Sequence, residues 1–320
     1  MPDRLIRDPI VLLGAPRSGT TMLFNALAGH PDLWSLYGES GSIMDRFFPT
    51  EMVPGSSDAA PACEVAEETL VAVRRAFARQ VGNMGSGHLA VSNAASSLLR
   101  TAVGRRVGRL PLISRLRLSV VYSKAGHARK ETEVRIVEKT PLNCLRVRLM
   151  DRIFPDAKFV YLTRDPRQSI ASIYTAWTQS TEFRRHRFPP NFGLLDYHGG
   201  WWCFGVVPGW EDLNGASLIE VCARQWLAYN EVCREDLASL GDRTKRVTYE
   251  DLVSKPGAVL RELADWANLE PAPFERFEQS LPIVSTFTNP RDDKWRRLEA
   301  EIRSVDHVIR EEALALGYQI

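Results

Sequence analysis

The chain has 320 residues, enough to bury a substantial core in one large α/β domain or two smaller ones. Its 41 basic and 39 acidic residues nearly cancel, so bulk charge predicts neither a nucleic-acid partner nor an acidic one. Cys63, Cys144, Cys203, Cys222 and Cys233 include no Cys-x-x-Cys pair and no zinc-like spacing with histidine, which predicts buried free thiols rather than a disulfide framework.

Charges interrupt the N-terminus, and no later window approaches about 18 uninterrupted apolar residues. A soluble, cytoplasmic setting with no transmembrane segment is expected. From Pro9 the chain reads as strand, loop and helix: Ile10-Val11-Leu12-Leu13, then Gly14-Ala15-Pro16-Arg17-Ser18-Gly19-Thr20-Thr21, then Met22 to Leu27 at helical spacing. Gly29-His30-Pro31-Asp32 stops that helix, because glycine and proline end helices for steric reasons. Leu33 to Tyr37 is a short extended piece leading into Gly38-Glu39-Ser40. Pro54, Gly55 and Pro61 mark a loop that enters a helix near Ala62, and Val65 to Val81 places Leu70, Val73 and Phe77 on one helical face.

Every charge from Arg100 to Lys130 is a lysine or arginine. The stretch reads as a solvated helical insert whose arginine stems cover apolar surface, with a basic lip for an anionic substrate or a membrane surface as the alternative. Val134 to Val137 is a strand ending in Glu138-Lys139-Thr140-Pro141, and a helix through Leu145, Val147, Leu149, Met150 and Ile153 stops at Pro155. Lys158 to Thr163 is a continuous β-rich run of the kind found centrally in parallel sheets. Arg164-Asp165-Pro166-Arg167 ends it, and Gln168 to Trp177 is helical. This repetition of strand, turn and helix predicts a parallel sheet with right-handed crossovers.

The aromatic-rich stretch from Phe188 to Trp210 is either a lid over a pocket or an extension of the core. Leu218 to Leu240 is a long helix, Arg246 to Tyr249 a last strand and Glu250-Asp251-Leu252 a helix start. Leu260 to Leu269 is helical, a proline-bearing stretch carries Ser285, Thr286 and Thr288, and Arg296 to Leu316 closes the chain as a helix.

A turn that runs into a helix N-terminus presents unpaired N–H groups and a positive dipole end, so the loop from Gly14 to Thr21 is an anion site. Gly14 and Gly19 have triphosphate-loop spacing, but Thr20 stands where such a loop needs lysine, and the cation is Arg17 instead. That mismatch argues for a phosphate ester other than a nucleoside triphosphate. Lys139 and Arg164 follow two further predicted strands, with Ser169 and Ser172 in the next helix. Ligands collect outside the carboxyl ends of parallel strands, which places two separated phosphate sites in one crevice.

These motifs resemble those of the sulfotransferases that use 3′-phosphoadenosine 5′-phosphosulfate (PAPS). Pro16 to Thr21 looks like the family's 5′-phosphosulfate loop, in the arginine-bearing form of bacterial members and tyrosylprotein sulfotransferases. Phe154 to Val160 leading into Arg164 to Ser172 is similar to its 3′-phosphate motif. Glu138-Lys139-Thr140-Pro141, Val247 to Leu252 and, more faintly, Asp293-Lys294-Trp295 resemble further family segments. The resemblance implies a P-loop-like α/β three-layer sandwich with a central parallel sheet flanked by helices. The spread of candidate site residues from Arg17 to Lys294 favours a single domain over 1–320, with a helical insert at about 51–133 and an aromatic-rich substrate segment at about 178–215, stretches that the resemblance does not cover.

By the same resemblance Arg17, Ser18, Gly19, Thr20 and Thr21 bind the 5′-phosphosulfate, Arg164 and Ser172 the 3′-phosphate, and Lys139 the charge on the bridging oxygen. Tyr249 lies near the adenine or closes the pocket, and Lys294 reaches the nucleotide from the C-terminal loop. Glu39 is the base, with His198 as its rival, and Glu138 is expected to be a structural partner of an arginine. The implied reaction moves a sulfuryl group from PAPS to a hydroxyl of a small-molecule, glycan or lipid acceptor. It leaves 3′,5′-adenosine bisphosphate, and no metal is expected because fixed cations can supply the electrostatic stabilisation. An ATP- and magnesium-dependent kinase-like phosphotransferase is the alternative, and a non-catalytic nucleotide-binding protein a third.

Overall fold

The computed structural model describes residues 5–36, 38–59, 64–82, 133–282 and 294–320. The basic stretch 100–130, the helix start near Ala62, Cys63, Tyr37, Ser285, Thr286, Thr288 and Asp293 lie outside the described residues.

The chain opens with β1 (Leu5–Ile6) and β2 (Ile10–Leu13), whose four apolar residues are all buried. Helix α1 (Thr20–Leu27) follows the glycine loop, then β3 (Trp34–Leu36), α2 (Gly41–Phe47), α3 (Glu67–Gln80) and β4 (Val81–Gly82). Leu70, Val73 and Phe77 are the buried face of α3, one turn apart as their spacing requires. The next run is split into β5 (Glu133–Val134) and β6 (Ile136–Lys139). Arg135 makes the break: its Nε donates to the Asp8 carbonyl at 2.7 Å, and β5 pairs with β1 while β6 pairs with β2.

The single helix expected through Leu145 to Ile153 is instead a 3₁₀ turn over Pro141–Leu145 and α4 (Val147–Ile153). Arg146 interrupts it because its buried guanidinium is drawn away to Asp58, with Nε on the Asp58 carbonyl at 2.9 Å and Nη2 on Oδ1 at 2.5 Å. β7 (Lys158–Thr163) has the predicted bounds. Asp165 caps α5 (Pro166–Gln179) by accepting from the Arg167 N–H, with proline at the first helical position where no amide is needed.

The aromatic stretch contributes a hairpin, β8 (Arg184–Arg187) and β9 (Trp201–Cys203), and its large rings belong to the core. Trp202 is fully buried and meets Trp177 edge-on at 5.5 Å, with Trp210 buried behind it. Helix α6 spans Leu218–Leu237 and β10 Thr244–Thr248. Thr248 accepts from the Asp251 N–H, so Tyr249 is the first residue of α7 (Tyr249–Ser254) rather than the end of the strand. Then come α8 (Pro256–Ala267), α9 (Glu299–Ser304) and α10 (Asp306–Ala315), the last two separated at Val305 where one helix was expected.

Six strands form the main sheet in the order β10-β7-β2-β6-β3-β4, five parallel and β4 antiparallel at the edge. Alternation along the strands divides the core into two faces. Val11, Leu13, Phe159 and Tyr161 pack with α4, α5 and α6 on one side. Ile10, Leu12, Val160 and Leu162 pack with α1 and α8 on the other. The result is the expected three-layer α/β sandwich, and truncating a central side chain such as Leu12 to alanine would cost about 2–5 kcal/mol. Cys144, Cys203, Cys222 and Cys233 are buried free thiols.

Candidate active site

All five parallel strands finish at one edge of the sheet, and each hands the chain to a residue singled out from the sequence. In the order β10, β7, β2, β6, β3 these are Tyr249, Arg164, the loop bearing Arg17, Lys139 and Glu39. Neighbouring strands lie about 4.8 Å apart, so the row spans about 19 Å from β10 to β3.

The loop is held by its own backbone. Both the N–H and the hydroxyl of Ser18 donate to the Ala15 carbonyl, at 3.2 and 2.7 Å. Ser18 therefore braces the loop. Arg17 and Gly19 have φ of 70° and 97°, and Gly19 caps α1 without a side-chain bond, leaving the first amides of the helix without a side-chain partner. A Cβ on Gly19 would lie 2.5 Å from the Tyr249 ring, so glycine is required twice, for its φ and for that approach. Thr20 is buried and Thr21 half-buried beside it.

Arg17 and Arg164 converge from β2 and β7. Arg17 Nε donates to Ser172 Oγ at 3.2 Å, and its guanidinium lies over the Phe183 ring. Arg164 donates through Nη1 to the Arg17 carbonyl at 3.0 Å and through Nη2 to Gln168 at 2.7 Å, with its plane 4.2 Å from the Tyr249 ring centroid. Burial, then the charge of Arg164, pushes the Arg17 pKa down, partly offset by Glu182. Two partly buried cations so close repel, and an anion between them relieves both. Arg164 Nε is buried with no partner among the described residues. An orphaned donor beside a glycine cradle fits a phosphate-bearing ligand.

On the other side of the loop, Lys139 Nζ forms an ion pair with Glu39 Oε1. The lysine stem is nearly buried, whereas the glutamate is half-exposed and open to a ligand. Glu138 behind them is buried and accepts from Thr140 and Asn143 rather than from an arginine, contrary to the sequence expectation.

His198 is exposed in the connection between β8 and β9, and among the described residues no hydrogen bond joins it to Glu39 or Lys139. Lys294 begins a 3₁₀ turn with Trp295, over which Arg167 lies at 5.0 Å; the Lys294 side chain is outside the description. Phe183 and Gln168 were missed in the sequence. Gln168 was within reach of sequence reasoning, because it stands four residues after Arg164 at the start of a helix; nothing local marks Phe183.

A family model described as the sulfotransferase family matches residues 9–200, more than half of the chain. Among solved structures, a sulfotransferase domain from the curacin biosynthetic pathway is 18% identical, with 99% of each chain covered and a TM-score of 0.47. Sulfotransferase STF9 from Mycobacterium avium is 13% identical, covering 99% of this chain and 79% of its own, with a TM-score of 0.49. Mouse sulfotransferase SULT7A1 complexed with PAP is 10% identical over 98% and 87% of the two chains, with a TM-score of 0.42. No curated protein sequence matches the chain significantly. No helix among the described residues is long and apolar enough to cross a membrane.

Proposed function

The chain belongs to the sulfotransferase family, and from that premise we propose that the row of residues at the sheet edge binds PAPS and directs its sulfuryl group to an acceptor hydroxyl. The observation that carries this reading is the convergence of Arg17, Ser172 and Arg164 on one side of the loop and of Lys139 and Glu39 on the other.

When bound, PAPS supplies an activated sulfuryl group and, on its 3′-oxygen, a second phosphate for the protein to grip. Arg164 and Ser172 hold that phosphate, the orphaned Arg164 Nε giving a further donor to those already engaged. Arg17 and the first amides of α1 hold the 5′ side. Tyr249, already under the Arg164 guanidinium, closes the nucleotide end. Glu39 takes the proton of the acceptor hydroxyl, and Lys139 presents its charge to the oxygen that the sulfuryl group leaves. The ion pair keeps base and cation adjacent before a donor arrives.

The acceptor is a hydroxyl of a small molecule, glycan or lipid that reaches the exposed Glu39. The rings of Trp202 and Trp210 do not define it, since both are core. Calorimetric titration with 3′,5′-adenosine bisphosphate in EDTA tests the reading: metal-free binding, weakened in Arg164→Ala, is expected. Binding of ATP with magnesium, and none of the bisphosphate, would overturn it in favour of a kinase-like enzyme.

A further inference from the structure

Three carboxylates are buried among the described residues: Asp58, Glu138 and Glu312. Asp58 is paired with Arg146 and Glu312 with Arg234. Among the described residues Glu138 has no cation, only neutral donors, although an ionised carboxylate without a counter-charge is the most expensive group to bury. Such a group stands one residue from Lys139.

The geometry of its partners is directional. Thr140 Oγ1 lies 2.5 Å from Glu138 Oε1 and carries one proton, which it donates there. Its lone pairs then face the Ser40 N–H at 2.8 Å and the Ser40 hydroxyl at 3.1 Å, so Ser40 is the donor in both bonds. The Asn143 amide nitrogen divides its protons between Glu138 Oε2 at 2.9 Å and Ser40 Oγ at 3.3 Å. Glu138 thus sets the direction of bonds that grip Ser40 at its backbone and at its hydroxyl. Ser40 is the residue after Glu39, and Thr140 the residue after Lys139.

We propose that Glu138 is a positioning residue of the transfer reaction: through Thr140 and Asn143 it fixes Ser40, and so holds Glu39 against Lys139 at the mouth of the site. The inference rests on the sulfotransferase reading above. Glu138 touches no ligand, because both of its oxygens are occupied and it is buried. Without it the Thr140 hydroxyl is free to rotate its proton toward Ser40, where it would oppose the N–H that it now accepts. The backbone carrying Glu39 would lose its anchor, and a displacement of about 1 Å at a reacting group is enough to lower a rate roughly hundredfold.

Three variants test this: Glu138→Gln, which places a donor at one of two positions that need acceptors; Thr140→Val, which keeps the volume and removes the hydroxyl; and Thr140→Ser, which keeps the hydroxyl. Turnover of sulfate-labelled PAPS is measured with the best acceptor from a panel of alcohols and phenols. Affinity for 3′,5′-adenosine bisphosphate and hydrogen exchange of the peptide containing Ser40 are measured on the same proteins. Glu138→Gln and Thr140→Val are expected to lower kcat by about 10- to 100-fold and to speed exchange at Ser40, with bisphosphate affinity within about twofold of the parent. Thr140→Ser is expected to restore most of the loss. Unchanged kcat in the first two variants would overturn the proposal, as would a parallel loss of kcat and bisphosphate binding, which marks general misfolding. A failure of the sulfotransferase reading is seen earlier and separately, as unmodified protein that neither binds the bisphosphate nor turns over PAPS, and it would take this inference with it.

Discussion

The guanidinium of Arg164 donates to the main-chain carbonyl of Arg17 at 3.0 Å, so the cation that follows β7 also braces the loop that follows β2. A side chain that only neutralised charge would be replaceable by any other cation. One that spans a carbonyl, a glutamine and an aromatic face is not, because lysine has neither the fork nor the plane.

Arg164→Ala is therefore expected to weaken binding of 3′,5′-adenosine bisphosphate by about ten- to hundredfold, the worth of one charge-assisted bond at roughly 1.5–3 kcal/mol. Arg164→Lys should recover only part of this. Isothermal titration of both variants checks it, and full recovery by lysine would show that charge alone matters.

Glu39→Gln removes the proposed base while its amide oxygen can still accept from the nearly buried Lys139, so the protein should stay folded with some loss of stability. Turnover of labelled PAPS should fall by about 10²- to 10⁴-fold, with bisphosphate binding retained. His198→Gln should leave turnover near that of the parent. The opposite ranking of the two variants would move the base to His198.

Gly19→Ala should destabilise the protein by about 1–3 kcal/mol, because alanine is strained at a φ of 97° and its methyl group would meet the Tyr249 ring. Adding Tyr249→Ala relieves the collision but not the dihedral. Urea unfolding of the single and double variants should therefore show partial recovery; complete recovery would mean that the loop can relax its φ.

Arg146 and Asp58 form a buried ion pair that also receives the Thr50 hydroxyl and the Val206 N–H. Arg146→Met leaves the buried Asp58 carboxylate with Arg185, 3.7 Å away, as its remaining cation among the described residues and should cost up to about 3–5 kcal/mol. Arg146→Met with Asp58→Asn should cost less than the single change, since the buried charge leaves with its partner and Arg185 keeps Asp45. Thermal unfolding of the two proteins distinguishes these outcomes.

Burial, and secondarily the nearby charge of Glu39, raises the pKa of Glu138 above its ordinary 4.5, against the hydrogen bonds from Thr140 and Asn143. Above its folded pKa Glu138 is the ionised acceptor of the Thr140 and Asn143 bonds; between the unfolded and folded pKa values the folded protein holds a proton there that the unfolded chain releases. Across the window from about pH 4.5 up to the folded pKa, this group makes stability fall as pH rises. Glu138→Gln cannot titrate, so its stability relative to the parent should improve as pH rises through that window. Denaturant unfolding of both proteins between about pH 4 and pH 8 gives the difference; a constant difference would mean that Glu138 is ionised throughout.

Much of this architecture follows from local sequence. The apolar runs at Ile10–Leu13 and Lys158–Thr163 could only be buried on both faces, and glycine, proline and short capping side chains stopped or started the helices beside them. Parallel strands with helical crossovers put their carboxyl ends on one edge, so Arg17, Lys139 and Arg164 were legible as a set before any contact was known. The interruptions were not legible. Arg146 breaks a helix because Asp58, 88 positions away, draws its side chain inward, and Arg135 breaks a strand through a bond to Asp8.

Tertiary structure alone decided how the site is assembled. The sheet order sets Tyr249 and Arg164 on one flank of the loop and Lys139 and Glu39 on the other, and strand order is not encoded in any one strand. It turned the aromatic stretch into core by bringing Trp177 and Trp202 together, and it left His198 exposed. It also joined Glu138 to Ser40 through Thr140, across a separation of 100 residues between Ser40 and Thr140. Sequence determined which residue types stand at the strand ends, because hydrophobic period and turn chemistry are local. Which of them meet was decided by long-range pairing and packing, whose partners lie far apart along the chain.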